Sequence, residues 1–227
     1  MLNNKIVRII ELLNKEYGEK KWKKRQEPLD QLIQTILSQN TSDRNSYTAF
    51  LNLKRKYPSW ENLIEAPEDE IAETIKAGGL ENIKAQRIKN TLITIKERRQ
   101  SLDLSYLKEI PQEEALSFLT TLKGVGPKTA AVVLLFSFGK PVLPVDTHIH
   151  RVSKRLSLIG NADRLKAHKI LQQMVPPEQV YSFHINMIEH GRRICKPKPK
   201  CPECVLNSLC ESASYFFPEL ENLKTQK

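Results

Sequence analysis

Apolar residues recur along this chain at intervals of three and four. In PLDQLIQTILSQ, Leu29, Leu32, Ile33, Ile36 and Leu37 form the i, i+3, i+4, i+7, i+8 stripe of a helix buried along one face. APEDEIAETIKAGG carries both ends of another. Pro67 suits the first helical position, Glu68, Asp69 and Glu70 complement the positive end of the helix dipole, and Gly78 or Gly79 stops it. Similar patterns predict helices over roughly 2–15, 45–56, 82–97, 112–122, 127–138, 147–158, 163–174 and 177–190. No stretch alternates convincingly at period two, and no Asn-Gly turn joins strand-like runs. The reading is an all-α chain without solenoid repeats or a long linker.

With 227 residues, 40% apolar and 27% charged, the chain can bury a core in one or two domains. Its longest apolar run, Ala130 to Phe136, is seven residues, far below the ~20 that span a bilayer. The opening MLNNKIVRIIELLNKEYGEK mixes apolar and charged residues and reads as neither signal peptide nor anchor. The expectation is an intracellular protein, in the cytoplasm or nucleoid if the chain is prokaryotic, with no membrane partner. A net charge of +10 suits a polyanionic partner. Half of that surplus sits in GRRICKPKPK, residues 191–200, which has five basic residues and no acidic one. The tail 211–227 mixes charge with Tyr215, Phe216 and Phe217 and is assigned no role.

Between two helical patterns lies LKGVGPKTA, residues 122–130. Gly124 and Gly126, separated by Val125, permit a tight turn and close approach of a ligand to the backbone. Pro127 is placed to open the next helix. Unpaired N–H groups at that helix start, with its dipole, form an anion site that a DNA phosphate would suit. Such contacts position DNA without reading its bases. A lone Gly-Val-Gly would be an ordinary helix connection; the residues that follow make this one specific.

Cys195, Cys201, Cys204 and Cys210 fall within sixteen residues, spaced C-x5-C-x2-C-x5-C. Such clustering in an intracellular chain points to a metal site rather than a disulfide framework. An iron–sulfur cluster and tetrahedral zinc both fit the spacing. Within the first spacer Lys196, Lys198 and Lys200 alternate with Pro197 and Pro199, which keep the backbone extended and the charges outward.

LKGVGPKTAAVVLLFSFGKPVLPVDTHIHRV, followed by the four cysteines, resembles the endonuclease III family of helix–hairpin–helix DNA glycosylases, from about residue 28 to Cys210. The resemblance implies a two-lobed all-α fold: a six-helix barrel over 23–140, and a discontinuous domain, 1–22 with 141–227, carrying a [4Fe–4S] cluster on the loop 195–210. DNA would lie between the lobes. The first cysteine spacer is one residue shorter than the family's usual form.

Lys128 and Asp146 fall on the family's catalytic positions. A helix from Lys128 to Phe138 is about 16 Å long, and the residues from Gly139 to Asp146 reach up to ~26 Å, so the two can meet. A lysine amine can displace a base at the deoxyribose C1′ and form a Schiff base that permits strand cleavage. Asp146 would steady positive charge on the sugar or accept a proton. Taken singly, Lys128 could be a solvated lysine and Asp146 the N-cap of a helix starting at Thr147. His148 matches a further family position, although structural hydrogen bonding accounts for it and for His150.

By the same resemblance, Gly79-Leu80 belongs to a loop that wedges into DNA. Residues 38–43 match a second loop, where Asn40 stands at a position often held by glutamine and Gln39 lies beside it. Leu80 could instead be an apolar contact after a helix cap, and either amide could simply end the preceding helix. The expected DNA contacts are Gln39, Asn40, Leu80, Gly124, Val125, Gly126, Thr129, His148, Arg192, Arg193, Lys196, Lys198 and Lys200. Together these predict a monomeric glycosylase with β-elimination lyase activity, removing damaged pyrimidines from duplex DNA. The alternatives are a mismatch glycosylase removing uracil or thymine opposite guanine, a non-catalytic DNA-binding module, and a zinc-dependent DNA-binding protein.

Overall fold

The computed structural model describes residues 2–219, with no strand among them. Helix α1 (Leu2–Tyr17) is followed by α2 (Pro28–Leu37), α3 (Asp43–Lys56), α4 (Trp60–Glu65), α5 (Glu68–Ile75), α6 (Glu81–Arg99), α7 (Gln112–Thr120) and α8 (Pro127–Phe138). Then come α9 (Thr147–Arg155), α10 (Arg164–Met174), α11 (Val180–Arg193) and the short α12 (Ala213–Phe216). The chain divides into two compact units, Lys24–Lys140 and the discontinuous Met1–Lys23 with Pro141–Lys227.

In the first unit, α8 is buried on every side from Thr129 to Ser137. A helix apolar all round belongs at the centre of its domain, and α2 and α7 pack against it. The α2 stripe read from the sequence is the face that disappears: Leu32, Ile33, Ile36 and Leu37 are wholly inaccessible, and Leu29 nearly so. Each such side chain contributes roughly 1.5–3 kcal/mol of transfer free energy. Gly139, at φ +70°, closes α8 with its amide on the Leu134 and Leu135 carbonyls.

Two local details depart from the periodicity. Pro67 is the N-cap of α5 rather than its first residue, because its ψ of 145° is extended. The chain then tightens into a 3-10 turn, Lys76–Gly78, and Gly79 ends it at φ +66°. Helix α4, six residues long, is too short to give a periodic signal in the sequence. Ser59 starts it by accepting the Asn62 amide, and buried Trp60 donates its Nε1–H to Asp30 Oδ1 at 2.8 Å.

The second unit is organised on α11, which packs on α1 and α9. Val180, Phe183, Met187 and His190 form its buried stripe. Asn186 ties it to α1, donating to Asn14 Oδ1 and to the Gly18 carbonyl, both at 3.0 Å. Gly191 lets α9 come close: a Cβ there would lie 2.9 Å from the His148 Cβ. The tail does pack at Phe216, whose ring lies 4.5 Å beneath the Arg155 guanidinium, while Tyr215 is exposed; residues 220–227 lie outside the described chain. Among the described residues no helix is long and apolar enough to cross a membrane.

Gly191→Ala should destabilise the protein by about 1–3 kcal/mol, since neither α11 nor α9 has room for the added methyl. Urea unfolding followed by circular dichroism measures this directly.

Candidate DNA interface and catalytic residues

The hairpin before α8 is anchored from below. Leu122 and Val125 are buried, and the Val125 amide donates to the Leu122 carbonyl at 3.0 Å. Gly124 turns the chain at φ +86°, and a side chain there would also strike the Arg87 stem at 2.9 Å. Gly126 has an ordinary φ of −86°, but nothing lies within 4 Å of where its Cβ would be. It is the N-cap of α8 and supplies no side-chain acceptor, and Pro127 follows as the first helical residue. Gly126 therefore offers no side-chain acceptor to the amides of that first turn. An anion fits such a place.

Lys128 is exposed on this first turn. Thr129 and Val125, expected among the DNA contacts, instead turn their side chains into the core. Val125 spends its amide on Leu122 as well and so anchors the hairpin. Thr129 can offer a phosphate only its backbone N–H. Spacing alone could not separate these roles, because it does not say which side of a turn faces inward.

The loop residues sort themselves. Gln39 is braced: Arg87 Nη1 donates to its Oε1 at 2.8 Å, and its Nε2 donates to the Gly124 carbonyl at 3.2 Å. Asn40, by contrast, is exposed with φ 53°. The two amides that the sequence left equal thus differ, one a brace to the hairpin and one directed outward. Leu80 is 47% exposed and left-handed at φ 52°, ψ 37°. That exposure disposes of the buried C-cap contact. For an ordinary L-residue this conformation costs roughly 1–2 kcal/mol, and such outliers gather at functional loops.

In the other unit, Asp146 is the N-cap of α9, its Oδ1 accepting the Ile149 amide at 2.8 Å. The half-buried His148 accepts at Nδ1 from Arg151 Nη2 at 3.1 Å, and His150 Nε2 pairs with the Ala162 carbonyl at 2.8 Å. Helix α9 also grips the cysteine loop through two arginines one turn apart. Arg151 donates to the Cys195 and Gly191 carbonyls, both at 2.9 Å. Arg155 donates to Cys195 Sγ at 3.3 Å and to the Lys196 and Pro197 carbonyls at 2.6 and 2.9 Å. The carboxylate at one end of α9 and the cysteine loop at the other therefore share one rigid element.

All four cysteines line a single pocket with Ile194, Pro199, Ala213 and Phe216. Burial pushes the Cys204 thiol up to about 12 and raises Cys201 and Cys210 too. Burial likewise drives His190 down to about 4 and Tyr17 up to about 12, so both are neutral. Tyr17 Oη pairs with His190 Nδ1 at 2.9 Å, and His190 Nε2 with Cys204 Sγ at 3.5 Å. The basic residues line the outside. Arg192, Lys196 and Lys198 are exposed; Arg193 pairs with Glu189 and Lys200 with Glu203. Exposed pairs of this kind are worth at most about 1 kcal/mol and yield readily to a phosphate.

Sequence reasoning missed the four residues that hold these groups: Lys84, Arg87, Arg151 and Arg155. One of them left a signal. Lys84 falls in the buried α6 stripe with Ala85, Ile88, Leu92 and Ile95, and a charge in such a stripe needs a reason.

Residues 33–177 match the HhH-GPD superfamily of base excision DNA repair proteins. The endonuclease III of Thermotoga maritima is 36% identical over 189 residues, covering 83% of this chain and 84% of its own length. A relative from Arabidopsis thaliana, provisionally named a DNA glycosylase, is 37% identical over 180 residues, or 76% of this chain. The chain spans 61% of that relative's length. Among solved structures, a trapped endonuclease III–DNA covalent intermediate in an estranged-adenine complex is similar at TM-score 0.81 and 30% identity, covering 94% of this chain and 97% of that one. With the helix–hairpin–helix, the loops and the cysteine pocket already in place, these likenesses make the chain a member of the endonuclease III family within the HhH-GPD superfamily.

Proposed function

We propose that this protein is a bifunctional DNA glycosylase and β-elimination lyase acting on damaged pyrimidines in duplex DNA, with Lys128 as nucleophile. The observation that carries this reading is an exposed lysine on the first turn of α8, a helix whose cap residue, Gly126, brings no side-chain acceptor of its own. A backbone phosphate held at that helix start brings the adjoining sugar to the amine. The neutral amine attacks C1′, and the base leaves with the electron pair of the glycosidic bond. Ring opening then yields a Schiff base between C1′ and Nζ. Loss of a C2′ proton expels the 3′ phosphate, and water releases the lysine. Asp146 supplies a fixed negative charge for the sugar or takes the amine's proton, its orientation set by the α9 cap. Asn40 and Leu80 enter the duplex to hold the opened base pair.

The cysteine pocket suits a [4Fe–4S] cluster held by Cys195, Cys201, Cys204 and Cys210. The buried thiols resist ionisation unless positive charge joins them, and the Arg155 guanidinium and the His190 ring are placed to support the sulfurs. All four thiols line one pocket, and membership of the endonuclease III family is what favours an iron–sulfur cluster over tetrahedral zinc there. When bound, the cluster cross-links the loop that carries Lys196, Lys198 and Lys200; base removal needs no electron from it. A monomer suffices, acting within the cell wherever the DNA lies. A panel of duplexes, each with one lesion or mismatch and scored separately for base release and nicking, identifies the preferred substrate.

Borohydride should trap wild-type protein covalently on abasic-site DNA, whereas Lys128→Ala should give no adduct; an adduct in the variant would remove Lys128 as nucleophile. Asp146→Asn should keep the helix cap, because asparagine caps as well, and so leave unfolding within roughly 0.5 kcal/mol of wild type. Its base-release rate should nevertheless fall by roughly 10²-fold or more; an unchanged rate would reduce Asp146 to a cap. Replacing Lys196 and Lys198 by alanine should weaken duplex binding and shallow the plot of log affinity against log salt by about 1–2 units of slope. Equal slopes would place that loop away from the DNA.

A further inference from the structure

Lys84 is only 1% exposed, one of the largest side chains to be fully buried. Its Nζ donates to two backbone carbonyls, Leu37 O and Gly78 O, each at 2.8 Å. Leu37 is the last residue of α2, and Gly78 closes the 3-10 turn after α5. Both carbonyls stand at the end of a helical segment, where they lack intrahelical partners and carry the negative end of the dipole. Just beyond each, the chain enters a loop whose exposed residue is left-handed: Asn40 at φ 53° and Leu80 at φ 52°.

The arrangement is costly. An ammonium withdrawn from water is tolerated only where it is well paired. The nearest charges influencing it are Arg87, which opposes the ammonium, and Glu81, which favours it. An apolar side chain could satisfy neither carbonyl, whereas three donors on a single long, flexible stem can hold both at once. What the ammonium provides here, and an apolar residue could not, is a link between two segments that are far apart in sequence.

We infer that Lys84 is a positioning residue that clamps the Asn40 loop to the Leu80 loop, so that the two enter the duplex as one rigid jaw. This rests on the reading above that both loops enter DNA. The clamp keeps the two left-handed residues at a fixed separation, and the energy of ordering them is met in the free protein instead of at binding.

The test uses 2-aminopurine placed opposite a tetrahydrofuran abasic analogue in duplex DNA, whose fluorescence rises when its stacking is broken. Lys84→Met and Leu80→Ala are compared with wild type, together with borohydride trapping on single-stranded abasic DNA, which needs no opening. Lys84→Met should trap on the single strand within about twofold of wild type, yet open the duplex roughly tenfold less well. A folded Lys84→Met with a wild-type fluorescence rise overturns the clamp. Leu80→Ala keeps the clamp and removes the wedge. If it alone loses the rise, the loops enter DNA without needing Lys84; if it too keeps the rise, the insertion reading itself has failed. Should Lys84→Met not fold, hydrogen exchange of the wild-type protein decides: amides 39–41 and 79–81 should open together at one rate, and independent opening overturns the proposal.

Discussion

A helix start must find acceptors for its first amides, and two successive helices of this protein meet that requirement in opposite ways. Helix α9 is capped from within by Asp146, whose carboxylate takes the Ile149 amide. Helix α8 begins at Gly126, which has no side chain to offer, and continues with a proline and an exposed lysine. A start whose cap residue brings no acceptor of its own is the one a phosphate suits. It can be left so because the rest of α8 is buried all round and packed by α2 and α7, which holds the helix whether or not an anion is present. The capped start serves the opposite purpose, since a carboxylate fixed by its own backbone keeps one orientation.

The remaining architecture fixes the ends of these helices. The hairpin is anchored by Leu122 and Val125, and braced at Gly124 through Gln39 and Arg87. Helix α9 is held at its far end by the cysteine loop, through Arg151 and Arg155. The proposed cluster, which base removal would not need as an electron carrier, is thus intelligible as a cross-link: it would stiffen a loop too short and too charged to form a core of its own. The same loop turns Lys196 and Lys198 outward while Arg155 occupies the Lys196 and Pro197 carbonyls on the inner side. Arginine suits that task because its planar fork reaches a sulfur and two carbonyls together.

Much of this was legible in the residues. Periodicity located the long helices because burial on one face repeats every three to four positions, as the inaccessible α2 stripe illustrates. Gly124, Pro127 and the Asp146 cap could be read because each is a residue type suited to a backbone position for a reason that survives without neighbours; the chemical roles proposed for Lys128 and Asp146 came through the family resemblance. Helix α4 escaped because six residues hold too few turns for a period to emerge. That the Val125 and Thr129 side chains point into the core could not be read from the residues, since a turn's inner and outer faces are set by what packs beneath it.

What the amino-acid order determined alone was therefore local: which segments wind into helices, where they begin, and which side chains have the chemistry to attack a sugar, bear a charge or ligate iron. Only the tertiary structure decided which amide braces and which reaches out, that Leu80 stands exposed in a strained conformation, and that Lys84 joins two carbonyls forty-one positions apart, Leu37 and Gly78. The physical reason is that hydrogen-bond reach is measured in ångströms through space, whereas periodicity and capping act within a turn or two along the chain.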